Sequence, residues 1–74
     1  MMLLGQLTQR VSITGNVKLT MWSKQGDVIT DETIIGTENL LDASGLGLWN
    51  WMEIKNIFAA PDGFLHIDFE AIDP

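Results

Sequence analysis

The feature that most constrains the fold of this chain is the turn signal formed by Pro61, Asp62 and Gly63. Proline presets φ for a turn, the aspartate side chain bonds nearby backbone, and glycine tolerates positive φ. The runs on either side, residues 49–60 and 64–71, alternate apolar and polar positions with the period of a strand. Together these features predict a β-hairpin that holds most of the aromatic residues of the chain.

Two registers of this hairpin conflict. Hydrophobic parity pairs Ile54 with Phe69, whereas a three-residue turn loop pairs Ile57 with Ile67. A slip of one residue moves every side chain to the opposite face, so both registers cannot hold throughout. We expect a bulge near residues 55–56 to reconcile them. Parity assigns four hairpin side chains to the core: Phe58, Leu65, Ile67 and Phe69.

A second alternating run extends from Val11 to Met21 and predicts a half-buried strand. Gly15 interrupts this run. It marks either a bend within one strand or part of a three-residue turn, and the alternation of faces survives both interpretations.

The next turn signal is Gly26, which supplies the left-handed residue of a three-residue hairpin loop. The resulting register pairs Trp22 with Val28, and it sets Leu19 opposite Asp31, which is unfavourable and suggests a bulge. Without a bulge, that register also gives three further pairs: Met21 with Ile29, Thr20 with Thr30, and Lys18 with Glu32.

The element order predicts a single mainly β domain over residues 1–74. Residues 2–8 are apolar enough for an edge strand, and residues 37–44 suit a short helix with Thr37 as N-cap and Leu40 and Leu41 facing inward. The expected fold is a small bent antiparallel sheet or barrel of five to six strands, OB-like or SH3-like. Such a likeness in element order carries no function with it.

Composition restricts the functional classes. The chain is 46% apolar and has no cysteine, so disulfides and cysteine-based zinc sites are excluded. No apolar run approaches the roughly 18 residues that span a bilayer, and no secretory signal is evident. We therefore expect no membrane association and a cytoplasmic location, or a host cytoplasm for a viral protein. A domain this small cannot bury so much apolar surface alone, which favours a partner or a homo-oligomer.

The charges are unevenly distributed, because residues 1–26 carry three basic residues and no acid, whereas residues 27–74 carry ten acids and one lysine. The net charge of −6 disfavours direct nucleic-acid binding, since phosphates would be repelled. Opposite charges paired across neighbouring strands explain this asymmetry more simply than a binding site does.

Three polar side chains on the last strand, His66, Asp68 and Glu70, alternate and share one face. Imidazole and carboxylate side chains suit a divalent metal or acid–base chemistry, but the solvent-exposed face of a sheet carries such residues in any case. We treat them as a weak metal candidate and expect no cofactor, no catalytic residues and no enzymatic activity.

The tryptophans are the stronger interface candidates, since Trp22, Trp49 and Trp51 all fall on strand positions with outward parity. Tryptophan is enriched at the centres of protein interfaces. The alternative is that the helix and the N-terminal leucines cover these rings as a second core.

The sequence thus predicts a non-enzymatic interaction module that self-associates or docks on a protein through a tryptophan-containing sheet face. The alternative is an acidic, phosphate-mimicking inhibitor or accessory factor of a nucleic-acid-processing protein, which would suit a phage or mobile-element protein. Its acidic face would comprise Glu53, Asp68, Glu70 and Asp73.

Overall fold

A computed structural model describes residues 1–43 and 47–71, which form a mainly β domain. The elements are a short helix α1 (Leu4–Thr8), strands β1 (Gly15–Trp22) and β2 (Val28–Thr37), 3-10 turns at Leu40–Asp42 and Trp49–Trp51, and strands β3 (Ile54–Ala59) and β4 (Leu65–Glu70). The strands form one sheet in the order β2-β1-β4-β3.

The C-terminal hairpin follows from its turn chemistry. The Ala60 amide donates to the Phe64 carbonyl at 3.2 Å, and Gly63 has φ of 83°. The Asp62 carboxylate accepts the Phe64 N–H at 2.9 Å. These contacts close the three-residue loop and set its register.

The expected bulge in this hairpin is confirmed. Ile57 pairs with Ile67 and Ile54 with Phe69, and the register shifts between Ile54 and Asn56. Both conflicting registers therefore hold, one on each side of Lys55.

The first hairpin is also built around a glycine, since Gly26 has φ of 89° and the Ser23 hydroxyl accepts the Asp27 N–H at 3.1 Å. The expected pairing of Trp22 with Val28 is confirmed, and so is the bulge, which falls between Met21 and Trp22.

From Met21 back to Val17 every pair is displaced by one residue, so three of the expected pairs are wrong. Met21 pairs with Thr30, Thr20 with Asp31, and Lys18 with Thr33. Gly15, with φ of 95°, is the first residue of β1 rather than a bend within it.

The centre of the sheet differs from the expectation, because β1 and β4 pair in parallel. Alternation identifies the buried face of each strand but not its neighbour, so the purely antiparallel sheet was wrong. The parallel pair supplies four fully buried side chains, which form the core with Leu4, Ile13, Leu40 and Trp49: Val17, Leu19, Ile67 and Phe69.

The N-terminal segment is a helix rather than the expected edge strand. Leu4 and Thr8 are buried one turn apart on α1, and the Thr8 hydroxyl donates to the Leu4 carbonyl at 3.1 Å. Only Leu3 pairs as a strand, in an isolated bridge to Glu53. The spacing of Leu4, Leu7 and Thr8 is that of a helix face, which the short apolar run obscured.

The helix expected at residues 37–44 is a single 3-10 turn, Leu40–Asp42, and residue 44 lies outside the described residues. Asn39 caps it instead of Thr37, accepting the Leu41 N–H at 3.2 Å. Leu40 is buried as expected, whereas Leu41 is exposed.

Four strands are present in the described residues instead of five or six, and an OB-like or SH3-like barrel is not confirmed. The order leaves β2 and β3 as the two edges of the sheet.

Candidate functional site

The two faces of the sheet differ in chemistry. One face packs on α1 and the 3-10 turns through the core cluster. The other, which we call the open face, carries the side chains of opposite parity. Pairing places them in three rows across the sheet. The rows are Thr33–Lys18–His66–Phe58, Asp31–Thr20–Asp68–Asn56 and Val28–Trp22–Glu70.

Trp22 lies at the end of β1 on the open face, with 36% of its surface exposed. Its indole Nε1–H donates to Asp68 Oδ1 at 3.2 Å. Beside the ring is a cleft of about 350 Å³ that is also lined by Lys55, Asn56 and Glu70. The structure therefore joins a sequence-predicted tryptophan to two sequence-predicted acids at one site.

Lys55 occupies the bulge of β3 and offsets part of the negative charge around it. Its Nζ lies 3.1 Å from Glu53 Oε1 and 3.9 Å from Glu70 Oε2. Asp68 instead accepts from the neutral Trp22 indole and keeps its full charge, and Asp73 lies outside the described residues. Lys55 therefore offsets part of the negative charge of Glu53 and Glu70.

His66 is held between two neighbours. Its Nε2 lies 2.9 Å from Asp62 Oδ2, and its ring stacks on Phe58 with centroids 4.9 Å apart. Backbone hydrogen bonding from Phe64, and then the contact with His66, lower the pKa of Asp62 below its ordinary value. The contact between His66 and Asp62 therefore holds the hairpin turn against β4.

The weak metal candidate gains no support. His66, Asp68 and Glu70 point to one face as expected, but each contacts a different neighbour. Across residues 1–43 and 47–71, no group of three histidine or carboxylate side chains is arranged to hold a metal ion.

The three tryptophans do not share one surface. Trp49 is 8% exposed and its ring lies 5.2 Å from that of Phe69, so its expected outward position was wrong. The reason is that Trp49–Trp51 is a 3-10 turn, in which strand parity does not apply. Trp51 is 73% exposed and lines a cleft of about 240 Å³ with Leu3, Gln6 and Leu41.

Sequence reasoning missed Phe58 as an open-face residue, whereas it placed Lys55 on the outward face. Parity over the whole strand assigned Phe58 to the core, yet the turn register pairs it with His66. Carrying the expected bulge through to every residue after it would have placed Phe58 correctly.

Within the described ranges, twelve large apolar side chains are exposed, eight apolar side chains are buried and seven more are partly buried against the core. Three of the exposed ones, Trp22, Val28 and Phe58, lie on the open face.

None of the described helices has the length and apolarity needed to cross a bilayer. No family model matches the chain, and searches of curated proteins and of solved structures return no match.

Proposed function

We propose that this protein is a non-enzymatic interaction module whose open face, centred on Trp22, docks on a second copy of the chain or on another protein. The observation that carries the proposal is the exposure of three large apolar side chains, Trp22, Val28 and Phe58, on this one face. Covering them would add to the limited apolar burial of a domain of 74 residues.

Trp22 suits the centre of such an interface. Its indole N–H already has an acceptor in Asp68, so a partner can cover the ring without leaving a buried donor unpaired. Val28 pairs with Trp22 and enlarges the apolar area beside it, and Phe58 is a second exposed aromatic ring two rows away on the same face; 49% and 40% of their surfaces are exposed. Aromatic anchors of this kind carry most of the binding energy in many interfaces.

The test is site-specific photocrosslinking in the cell that makes the protein. A Trp22→benzoylphenylalanine variant keeps an aromatic side chain on the open face and is expected to give discrete covalent adducts on irradiation. The matched control carries the same group at Asp42, which is exposed on a 3-10 turn. Mass spectrometry of the adducts distinguishes a second copy from another protein. Equal yields from both positions would refute the open face as the docking surface.

The acidic inhibitor is the second hypothesis. It receives less support, because Lys55 lies close to both Glu53 and Glu70, which belong to the expected acidic face. Binding to a basic channel should weaken steeply with added salt, whereas apolar docking through Trp22 should change little.

A further inference from the structure

The outer side of β2 is an exposed strand edge. In the described part of the chain, β2 pairs with β1 alone. Its central residues 30–34 follow β1 in an unbroken register, bounded by a register shift at each end. Such an edge presents backbone N–H and C=O groups that can pair with another strand. Natural edges are protected by bulges, proline and charged side chains, lysine above all. Residues 27–38 contain no lysine or proline, and the charges on the central stretch are both acidic, so they oppose pairing with an acidic strand but not with a basic one.

Two acids in this central stretch distinguish the edge from a generic one. Asp31 and Glu32 are consecutive, so they lie on opposite faces of the sheet, beside Thr20 and Leu19 respectively. Both are exposed, and neither forms a salt bridge with any described residue. A strand added to β2 would therefore meet one carboxylate on each of its own faces.

We propose that the outer edge of β2 binds an extended peptide segment with two adjacent basic residues, added to the sheet as a further strand. Adjacent residues of a strand point to opposite faces, so one basic side chain would lie beside Asp31 and the other beside Glu32. Opposite charges across neighbouring strands are stabilising, and the net charge of −6 attracts such a segment. No residue of β2 lines the Trp22 cleft, and strand addition uses the backbone edge of β2, so the proposal does not depend on the proposed function.

A second copy of the chain fits this edge poorly in the registers centred on its two acids. A symmetric antiparallel pair centred on Asp31, on Glu32 or between them sets acid opposite acid. Like charges directly opposite are destabilising. The chemistry of the edge therefore favours a basic partner over self-pairing.

The probe is a fluorescein-labelled hexapeptide, Thr-Val-Lys-Arg-Val-Thr, titrated to millimolar concentration against the full chain and followed by anisotropy and by ¹⁵N NMR. We expect shifts in the backbone amides of residues 30–34. Neutralising both acids, Asp31→Asn with Glu32→Gln, should weaken binding about tenfold, as expected for two partly exposed charge pairs. The control, Glu38→Gln with Asp42→Asn, removes the same charge elsewhere and should change affinity by less than about twofold.

Two N-methylated peptides, each blocked at alternate backbone amides, test strand addition itself. Only one set of amides can face β2, so one peptide should lose binding and the other should keep it. Four outcomes would overturn the proposal: no binding at millimolar peptide, equal binding by both methylated peptides, equal loss in the acid-neutralised and control variants, or amide shifts confined to other strands. A dimer paired through β2, detected by light scattering and amide protection, would identify a second copy as the occupant and would also overturn it.

Discussion

Removing the side chain of Trp49 should destabilise the protein far more than removing that of Trp51, although the two residues lie in the same short 3-10 turn. Trp49 is 8% exposed and packs on Phe69 in the core. Trp51 is 73% exposed and borders an open cleft. The comparison tests whether strand parity fails at this turn.

The size of the effect follows from burial. A chain of 74 residues has an expected free energy of unfolding of about 4–11 kcal/mol. Truncating a buried tryptophan to alanine costs about 3–5 kcal/mol, a large share of that total. Trp49→Leu keeps part of the volume and should cost about 2 kcal/mol. Trp51→Ala should stay within about 0.5 kcal/mol of wild type.

Urea denaturation followed by far-UV circular dichroism measures these differences, provided that the denaturant slope is unchanged among the variants. If Trp49→Ala does not fold, Trp49→Leu still gives a measurable free energy of unfolding, because its expected loss is smaller. Similar losses for Trp49→Leu and Trp51→Leu would refute the reasoning, because two tryptophans on the outward face of a strand would behave alike.

Three further predictions concern the C-terminal hairpin. Gly63→Ala should cost about 1 kcal/mol in thermal unfolding because φ is 83°, whereas Gly47→Ala, at a glycine without positive φ, should have little effect. The pKa of Asp62 is lowered in the fold, so the ionised carboxylate stabilises the folded state above the unfolded-state pKa near 3.8, and this stabilisation is lost as pH falls through the lower folded pKa. The difference in the free energy of unfolding between wild type and Asp62→Asn, measured by urea denaturation at a series of pH values, should therefore shrink as the pH is lowered. Phe58→Ala should lower the free energy of unfolding by only about 1 kcal/mol, because the ring is 40% exposed and stacks on His66. A loss of about 3 kcal/mol or more would indicate that the ring is buried in the core instead.

Local chemistry made the two hairpins predictable from the sequence. At Gly63 and Gly26, positive φ is required and the flanking residues supply the turn hydrogen bonds. Each turn sets a register, and the conflict between turn and hydrophobic parity correctly located the bulge at Lys55. Because these constraints act over a few residues, a single sequence contains them.

The remaining errors concern contacts between distant segments. Nothing local specifies that β4 pairs in parallel with β1, since alternation gives only the face that each strand buries. The burial of Trp49 depends on Leu4 and Phe69 coming together from opposite ends of the chain. Most of the candidate site was therefore predictable: alternation placed Trp22, Asp68, Glu70 and Lys55 on the outward face, whereas placing Phe58 there required the bulge.

The two proposed surfaces differ in how their charges are compensated. On the open face, Asp68 accepts from Trp22 and Glu70 lies near Lys55, so docking there would depend mainly on apolar area. On β2, Asp31 and Glu32 have no such partner among residues 1–43 and 47–71, so strand addition there would depend on charge. Screening over a Debye length of about 8 Å at physiological ionic strength should therefore weaken peptide binding at β2 and leave association through Trp22 largely intact. The same salt series, applied to Trp22→Thr and to the acid-neutralised β2 variant, separates the two surfaces even when one partner contacts both.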